Sequence, residues 1–494
     1  MSASEPPADQ ADGAWMGIDV GTSGVRTVVV DPAGAVLARG AAPLPAGTRD
    51  GVRHEQDPRD WWSALCRATG QATAALGDRP ITALALAATS GTVLVQDAGG
   101  TARGAALMYD DGRAADEAVR AQDAGEPLWT ELGYRIGRSW ALPRVLWLLR
   151  NPLGAGERIT HQSDHLTGRL AGRPVAADAS SALKTGYDTL RSRWPVEIFD
   201  ALGLPLDVLP PVQPAGTVIA EVCREAAELT GIPAGTPIRA GMTDGCAAQI
   251  AARASTTGSW SSALGSTLVV KGSTPDLVRG PDVGVYCHRN PDGGWLPGGA
   301  SNGGAAIVSR EFPDADLAAL TAEAAGRNEP GFVYPLTGRG ERFPFVAADA
   351  TSFGEVHGTD DASRFGAILR GLAFLERLCY DVLADLAADT TGPVTVSGGT
   401  AGNPYLNRLR ADMLGRPVLV PETTEAAVGM AVLAAAEPGH VARTAERMVR
   451  IADTVHPDPA RAERLSDGYA RFGAALVDRG WLDAVPAGAG RVSR

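Results

Sequence analysis

Two short turns of Gly, Ser and Thr, each set between apolar runs, constrain this chain more than any other feature. The first reads Met16-Gly17-Ile18-Asp19-Val20-Gly21-Thr22-Ser23-Gly24 and leads at once into the run Val25 to Val30. The second, half a chain later, reads Ala263-Leu264-Gly265-Ser266-Thr267-Leu268-Val269-Val270. A glycine turn lets backbone N–H groups approach phosphate oxygens with no Cβ in the way, and neighbouring hydroxyls add donors. Either turn alone reads equally as an ordinary hairpin. The pair, with a carboxylate one step before the first turn, points to two phosphate clamps and so to a nucleotide. Asp19 supplies that carboxylate, a hard oxygen ligand suited to Mg²⁺.

A chain of 494 residues exceeds what one hydrophobic core usually supports, so two domains are expected. The net charge of -12, with no run of Lys or Arg, argues against a nucleic-acid surface and for small-molecule work. Lys184 and Lys271 are the only lysines, so no GxxxxGK[ST] phosphate loop exists. Five scattered cysteines without CxxC spacing fit a reducing cytoplasm. Residues 1–14 have neither a basic nor an apolar leader segment and read as a disordered tail, as do residues 485–494. The longest apolar stretch, Ala426 to Ala436, is too short to span a bilayer, and no membrane segment is expected.

Along the chain, Trp15 to Arg39 predicts an antiparallel meander of three strands, the third from Ala35 to Ala38, followed by a helix over Asp60 to Gly77 and a buried strand from Ile81 to Ala87. Val93 to Asp97 reads as a further strand, and Asp111 to Gln122 and Leu142 to Arg150 as helices. Leu202 to Pro237, rich in Pro and Gly, reads as surface loops leading to a domain junction near Gly241 to Ile250. Beyond it come a hairpin over Gly258 to Gly272, helices over Asp316 to Gly326 and Ser363 to Ala388, a strand over Val394 to Val396 and a helix from Leu406 to Leu414.

Strand, Ser397-Gly398-Gly399, then helix is a place where a flat ligand such as adenosine can lie on bare backbone; the alternative is a plain tight turn. Asp244, in Ala240-Gly241-Met242-Thr243-Asp244-Gly245-Cys246, reads either as a helix cap or as a carboxylate able to take a proton from an attacking hydroxyl. Met108-Tyr109-Asp110-Asp111-Gly112-Arg113 offers two acids and a guanidinium for sugar hydroxyls, against the alternative of a capped helix start. Thr89-Ser90-Gly91-Thr92 ends the buried strand and can add hydroxyls to the same pocket. His161 and His165 have i, i+4 spacing, but with no third ligand and no HExxH they read as part of a surface helix and not as a zinc site.

These pieces in this order resemble the FGGY carbohydrate kinases, and the resemblance runs from Trp15 to about Glu437. It implies an α/β, two-domain actin-like ATPase (ribonuclease H-like) fold with an interdomain cleft: a sugar-binding domain over 15–245 and a nucleotide-binding domain over 246–484. By that resemblance Gly21, Thr22 and Ser23 form the first phosphate motif and Gly265, Ser266 and Thr267 the second. Gly398 and Gly399, running on to Arg410-Ala411-Asp412-Met413-Leu414-Gly415-Arg416-Pro417-Val418, resemble the adenosine motif, with Asn302 and Asn403 on the nucleotide as well. Asp244 becomes the general base and Asp19 the acid near magnesium. The sugar is expected on Asp19, Ser90, Asp110, Asp111, Arg113 and Asp244. ATP and Mg²⁺ are the implied cofactors, in a cytoplasmic monomer or homodimer.

Two signature positions depart from the family: Arg144 stands where Lys precedes an aliphatic-x-Trp, and Arg370-Gly371 where Glu-Gly is usual. Both read as changes of packing more than of chemistry. Xylulokinases carry Gln-Met-His in the sugar pocket where this chain has Thr89-Ser90-Gly91. That stretch, with Met108 to Asp111 and Gly298-Gly299-Ala300-Ser301-Asn302, resembles the D-ribulokinase branch, so D-ribulose is the expected acceptor. Xylulose, gluconate or another ketose is the alternative. A filament or chaperone ATPase of the same superfold is the alternative class.

Overall fold

The computed structural model describes residues 13–327 and 329–486. The tails expected over 1–14 and 485–494 fall mainly outside the described residues. Ala14, however, opens the first strand, and Val485 lies beside Gly473. The chain forms two compact units, the first reaching Ala251 and including 288–293 and 423–450, the second holding 252–287, 294–422 and the residues from Ile451 onward. The helix Asp244–Ala251, expected largely beyond the boundary, therefore belongs with the first unit.

The first unit is built on a six-stranded sheet. Ala14–Val20 lies in its middle, antiparallel to Gly24–Val30, which pairs antiparallel with Val36–Pro43. On its other side Ile81–Ala88 runs parallel to it and Pro237–Arg239 parallel to that, with Val218–Glu221 antiparallel at the edge. All seven residues of Ala14–Val20 are buried, as both faces of the sheet are covered. The helix Pro58–Leu76 starts at the cap Asp57, whose side chain accepts from the Arg59 N–H, and it buries Trp61, Ala64, Leu65, Ala68 and Ala72 at helical spacing. Gly17 has a packing role: a Cβ there would sit 1.8 Å from the Ala427 carbonyl oxygen, so the helix Ala426–Ala435 rests on bare strand backbone. A five-stranded sheet, in the order Thr48–Asp50, Arg53–Gln56, Ala106–Leu107, Val93–Gln96 and Arg158–His161, also belongs to this unit.

The second unit repeats the plan. Trp260–Leu264 is flanked on one side by the antiparallel Leu268–Gly272 and then Trp295–Ser301. On the other side the parallel strands Val394–Ser397 and Val418–Pro421 follow, with Ile451–Val455 antiparallel at the edge. The helix Asp361–Asp385 is buried along almost its whole length and begins at Asp360, whose side chain accepts from Ser363 N at 2.9 Å.

The hairpin and most of the major helices follow the sequence expectation, but the third strand of the meander runs on to Pro43, and the helix expected over Asp111 to Gln122 starts at Ala115 and continues to Leu132. The segment Leu202 to Pro237 departs further: it contains the edge strand Val218–Glu221 and the helix Arg224–Thr230, capped by Cys223 and ended by Gly231 at φ 73°. Short elements punctuated by Pro and Gly lack a periodic signature, so composition alone read them as loops.

Candidate active site

In the first unit three parallel strands end side by side, and each delivers one expected site residue to the same rim. Asp19 pairs in register with Ala87. Ser90 lies two residues past the end of Ile81–Ala88, and Thr243 bridges Ala88, which brings Asp244 to the start of its helix there. Ligands of open α/β sheets bind beyond these carboxyl ends. Asp19 is buried, and burial together with the neighbouring Asp244 carboxylate raises its carboxyl to about 6, against the opposing pull of Arg26, whose Nη1 is 4.0 Å away. Two carboxylates sharing one field are a donor set that suits a hard cation, and Mg²⁺ typically takes one or two carboxylates and fills its sphere with water and phosphate oxygens. Asp244 is fixed from behind: Ser180 Oγ accepts from Thr243 N at 2.8 Å and donates to Asp178 Oδ1 at 2.5 Å.

The turn at Gly21 to Gly24, expected to clamp a phosphate, is braced by a relay the sequence did not disclose. Trp61 Nε1 donates to Gln56 Oε1 at 2.7 Å, and Gln56 Nε2 donates to the Thr22 carbonyl at 2.8 Å. The Gly21 N–H closes the turn on the Gly24 carbonyl at 3.0 Å, while Ser23 is exposed and Thr22 half-buried.

Segments 89–92 and 108–113 come together as expected, but their polar groups are unequally committed. Thr89 Oγ1 bonds Gln162 Oε1 and Thr92 Oγ1, and Thr92 Oγ1 also accepts from Tyr109 N at 3.2 Å. Ser90 Oγ alone is buried without a hydrogen-bond partner. Asp111 accepts from the N–H groups of His54 and Arg113 and from Arg113 Nε and Nη2, which uses its lone pairs. Arg113 in turn binds Glu55 at 2.7 Å and lies over the Trp147 ring. Asp111 and Arg113 thus form a buried brace, leaving Asp110 as the exposed one of the two acids. Asp110 is held by His54 Nδ1 at 2.5 Å and Arg49 Nη2 at 2.7 Å; burial opposes its ionisation, yet these two bonds keep its carboxyl below the ordinary value.

Arg144 ties the two segments. Fully buried, it donates from Nη2 to the Gly91 carbonyl at 2.9 Å and to Ser139 at 3.2 Å, and from Nη1 to the carbonyls of Asp111 at 3.2 Å and Arg138 at 2.8 Å. Burial pulls its guanidinium down to about 10. It holds the two segments together through these hydrogen bonds, a network that the sequence expectation of a packing change did not specify. The signal was present as an arginine inside an apolar helix, Ala-Leu-Pro-Arg-Val-Leu-Trp-Leu.

The helix Gln162–Ala171 is not a surface helix: Gln162 to Thr167 are all buried. His161 has both ring nitrogens engaged, Nδ1 with Asp164 at 2.6 Å and Nε2 with Thr185 at 2.8 Å, while His165 Nδ1 lies 3.0 Å from Gln96 Oε1. Among the described residues no group of three or more His, Cys, Asp or Glu is placed to hold a metal.

In the second unit Gly265, Ser266, Gly399 and Asn403 line one cavity of about 650 Å³, walled by Leu264, Val308, Phe365 and Leu369. A Cβ at Gly265 or Gly399 would meet nothing within 4 Å, so the bare backbone opens onto free space. Gly398 has a different reason to be glycine: its φ is 84°, and a Cβ would lie 2.5 Å from the Leu264 carbonyl oxygen. Asn403 caps the helix Pro404–Leu414 through Leu406 N and donates from Nδ2 to Thr321 Oγ1 at 3.0 Å. Thr267, Gly398 and Asn302 are not among the lining residues, and Asn302 is spent on Glu341 and the Gly340 carbonyl. Behind the cavity, Arg410 of that helix pairs with Glu376 of Asp361–Asp385 at 2.7 Å, both fully buried.

Residues 14–251 match the FGGY family of carbohydrate kinases, N-terminal domain, and residues 257–437 its C-terminal domain. The chain is 29% identical to the autoinducer-2 kinase of Escherichia coli strain K12, covering 94% of each chain, and 28% identical to the xylulose kinase of Streptomyces rubiginosus, covering 97% of this chain and 99% of that one. The solved xylulose kinase of Rhodospirillum rubrum shares the fold at a TM-score of 0.83 and 22% identity, over 94% of this chain and 99% of that one. No helix among the described residues is long and apolar enough to cross a membrane. With both domain models matched and two α/β units of the actin-like plan, the chain belongs to the FGGY family of carbohydrate kinases and is a phosphotransferase with an alcohol acceptor.

Proposed function

We propose that the chain transfers the γ-phosphoryl group of ATP to the terminal hydroxyl of a ketopentose, D-ribulose. The observation that carries the choice of acceptor is Ser90: its hydroxyl is the one polar group of the 89–92 turn left buried and unpaired, at the strand-end rim that also carries Asp19 and Asp244. A ligand hydroxyl would relieve that deficit, and a site with one such group discriminates between epimers because the wrong configuration leaves it unpaired. Asp110 accepts a second sugar hydroxyl, with Asp111 and Arg113 acting through the fixed geometry of the loop.

Asp244 takes the proton as the acceptor oxygen attacks, and Asp19 holds Mg²⁺. That ion, when bound, neutralises charge on the β- and γ-phosphates. Phosphoryl transfer asks chiefly for positioning and charge neutralisation, so a weak carboxylate base suffices. The cavity of Gly265, Ser266, Gly399 and Asn403 takes the nucleotide, its apolar wall facing the base. The relatives differ in acceptor, since one is named for autoinducer-2 and another for xylulose, so the residue set at the rim carries the assignment.

The test is a steady-state comparison of D-ribulose, D-xylulose, autoinducer-2, gluconate and glycerol with ATP and Mg²⁺. D-Ribulose is expected to give the highest kcat/KM, and Ser90→Ala to lower it by about 10-fold or more while leaving the KM for ATP unchanged. A better showing by any other acceptor overturns D-ribulose and leaves phosphoryl transfer standing.

A further inference from the structure

Adjoining the cavity proposed for the nucleotide, and sharing Ala325 and Arg408 with it, the second unit has another of about 740 Å³. One wall is Arg370, in the middle of the helix Asp361–Asp385 and only 3% exposed. Its Nε donates to the Gly331 carbonyl at 2.5 Å, but Nη1 and Nη2 meet no acceptor among the described residues, and no carboxylate pairs with it. The side chain lies back along its own helix over Gly366, where a Cβ would come within 3.3 Å of Nη1, so the glycine makes room for the guanidinium. Its Nη1 and Nη2 face the cavity, where an anion would fill their donors.

Two more arginines line the same cavity, Arg408 and Arg464. Arg408 is half-buried and stands over the Tyr405 ring at 5.8 Å; Arg464 is exposed on the helix Pro459–Asp478. Neither has an ion pair among the described residues. The acids facing them are mostly spent: Asp412 is held by Arg461 at 2.7 Å, and Glu329 accepts from Ser363 Oγ at 3.0 Å and lies 3.6 Å from Arg327. Among the described residues that line the cavity, the exposed Asp467 is the one acid without an ion pair, against three guanidinium groups that have none either.

We propose that this cavity is a binding site for a small phosphate monoester, held by Arg370, Arg408 and Arg464. The planar fork of arginine matches phosphate oxygens two at a time. The volume lies in the range of small-molecule sites, and Phe374, Leu409 and Leu465 give an apolar side for the body of the ligand. A polymeric polyanion is disfavoured by the acids on the wall and by the net charge of -12. The site does not depend on which sugar the enzyme phosphorylates.

The test is calorimetric titration of the full chain with inorganic phosphate at constant ionic strength, with a non-hydrolysable ATP analogue saturating the nucleotide cavity. Saturable binding is expected, weakened by about 10-fold or more in Arg370→Met and in Arg464→Ala, the loss of one charge-assisted contact. Arg464→Ala changes an exposed position, so it keeps the test valid if Arg370→Met does not fold. A pentose 5-phosphate and AMP, titrated in parallel, identify the ligand body: tighter binding than phosphate by either supports the site. Absence of saturable phosphate binding, or binding indifferent to Arg464→Ala and to any folded Arg370 variant, overturns it.

Discussion

The two central sheets share a plan, two successive antiparallel strands beside the first strand on one side and two parallel strands on the other, yet they furnish their strand ends differently. In the first unit the ends carry carboxylates, Asp19 and Asp244, close enough to raise the Asp19 carboxyl. In the second the corresponding ends carry Gly265-Ser266 and Gly398-Gly399, and no acid lines the cavity they border. Carboxylates can move a proton or hold a cation; bare backbone beside an apolar wall can hold a phosphate and a flat ring. One topology thus supplies two kinds of site, and the difference is set by a few residues immediately after the strands.

That division is broken most directly at Asp244. Asp244→Asn is expected to lower kcat by roughly two to four orders of magnitude, the range for loss of a general base, while nucleotide affinity, which the proposed function assigns to the other unit, stays within a factor of about two. The amide is isosteric, so Ser180 still fixes Thr243 and the fold is retained. Rapid-quench turnover and equilibrium titration with ADP measure the two quantities separately. Near-normal turnover would mean that Asp244 only begins its helix, and a parallel loss of ADP affinity would mean that the two sets of strand ends are not independent.

The second contrast lies behind the sites, in two fully buried arginines. Arg410 faces a carboxylate, Glu376, whereas Arg144 faces only backbone carbonyls. Removing Arg410 strands a buried negative charge. Arg410→Met should therefore destabilise the second unit by about 3–5 kcal/mol, and the double change with Glu376→Leu should recover much of that, because a buried pair contributes little net stability while a half pair is costly. Urea unfolding of the single and double variants decides it. Equal destabilisation by both would show that packing, and not the stranded charge, governs the site.

How much of this was legible in the sequence depended on the range of the signal. The strands and long helices were, because an apolar run such as Ile81 to Ala87 and the spacing of Trp61, Ala64, Leu65, Ala68 and Ala72 are local patterns set by one buried face. The turns at Gly21 and Gly265 were legible as turns, because glycine between apolar runs marks a tight reversal, although either alone reads equally as an ordinary hairpin. What the sequence could not disclose was pairing across distance. Nothing in Asp111 or Arg113 announces that each is consumed by the other, Asp111 also by the His54 N–H and Arg113 by Glu55, nor does Gln56 reveal that it joins Trp61 to the Thr22 carbonyl. The same applies to the helix Ala426–Ala435, which returns to the first unit because Gly17 exposes bare backbone more than four hundred residues earlier, a complementarity no local window contains.

Arg144 gives the smallest expected effect and the sharpest reading of the comparison, since its loss leaves neutral carbonyls and no stranded charge. Arg144→Met removes the donors that join Gly91 to Asp111, at a cost to stability of about 1–3 kcal/mol for buried acceptors left unpaired. If the guanidinium serves to set the spacing between the Ser90 turn and the Asp110 loop, the KM for the acceptor should rise by about 10-fold while the KM for ATP does not move. Arg144→Lys should recover part of this, because an ammonium keeps the charge and three donors but cannot span all four carbonyls with a planar fork. A purely structural role predicts something else: a lower midpoint of thermal unfolding with both KM values unchanged, and no advantage of lysine over methionine in acceptor KM. Measuring the two KM values and the unfolding midpoint on both variants separates the readings, because only a residue acting through the loops of the first unit can shift one substrate and spare the other.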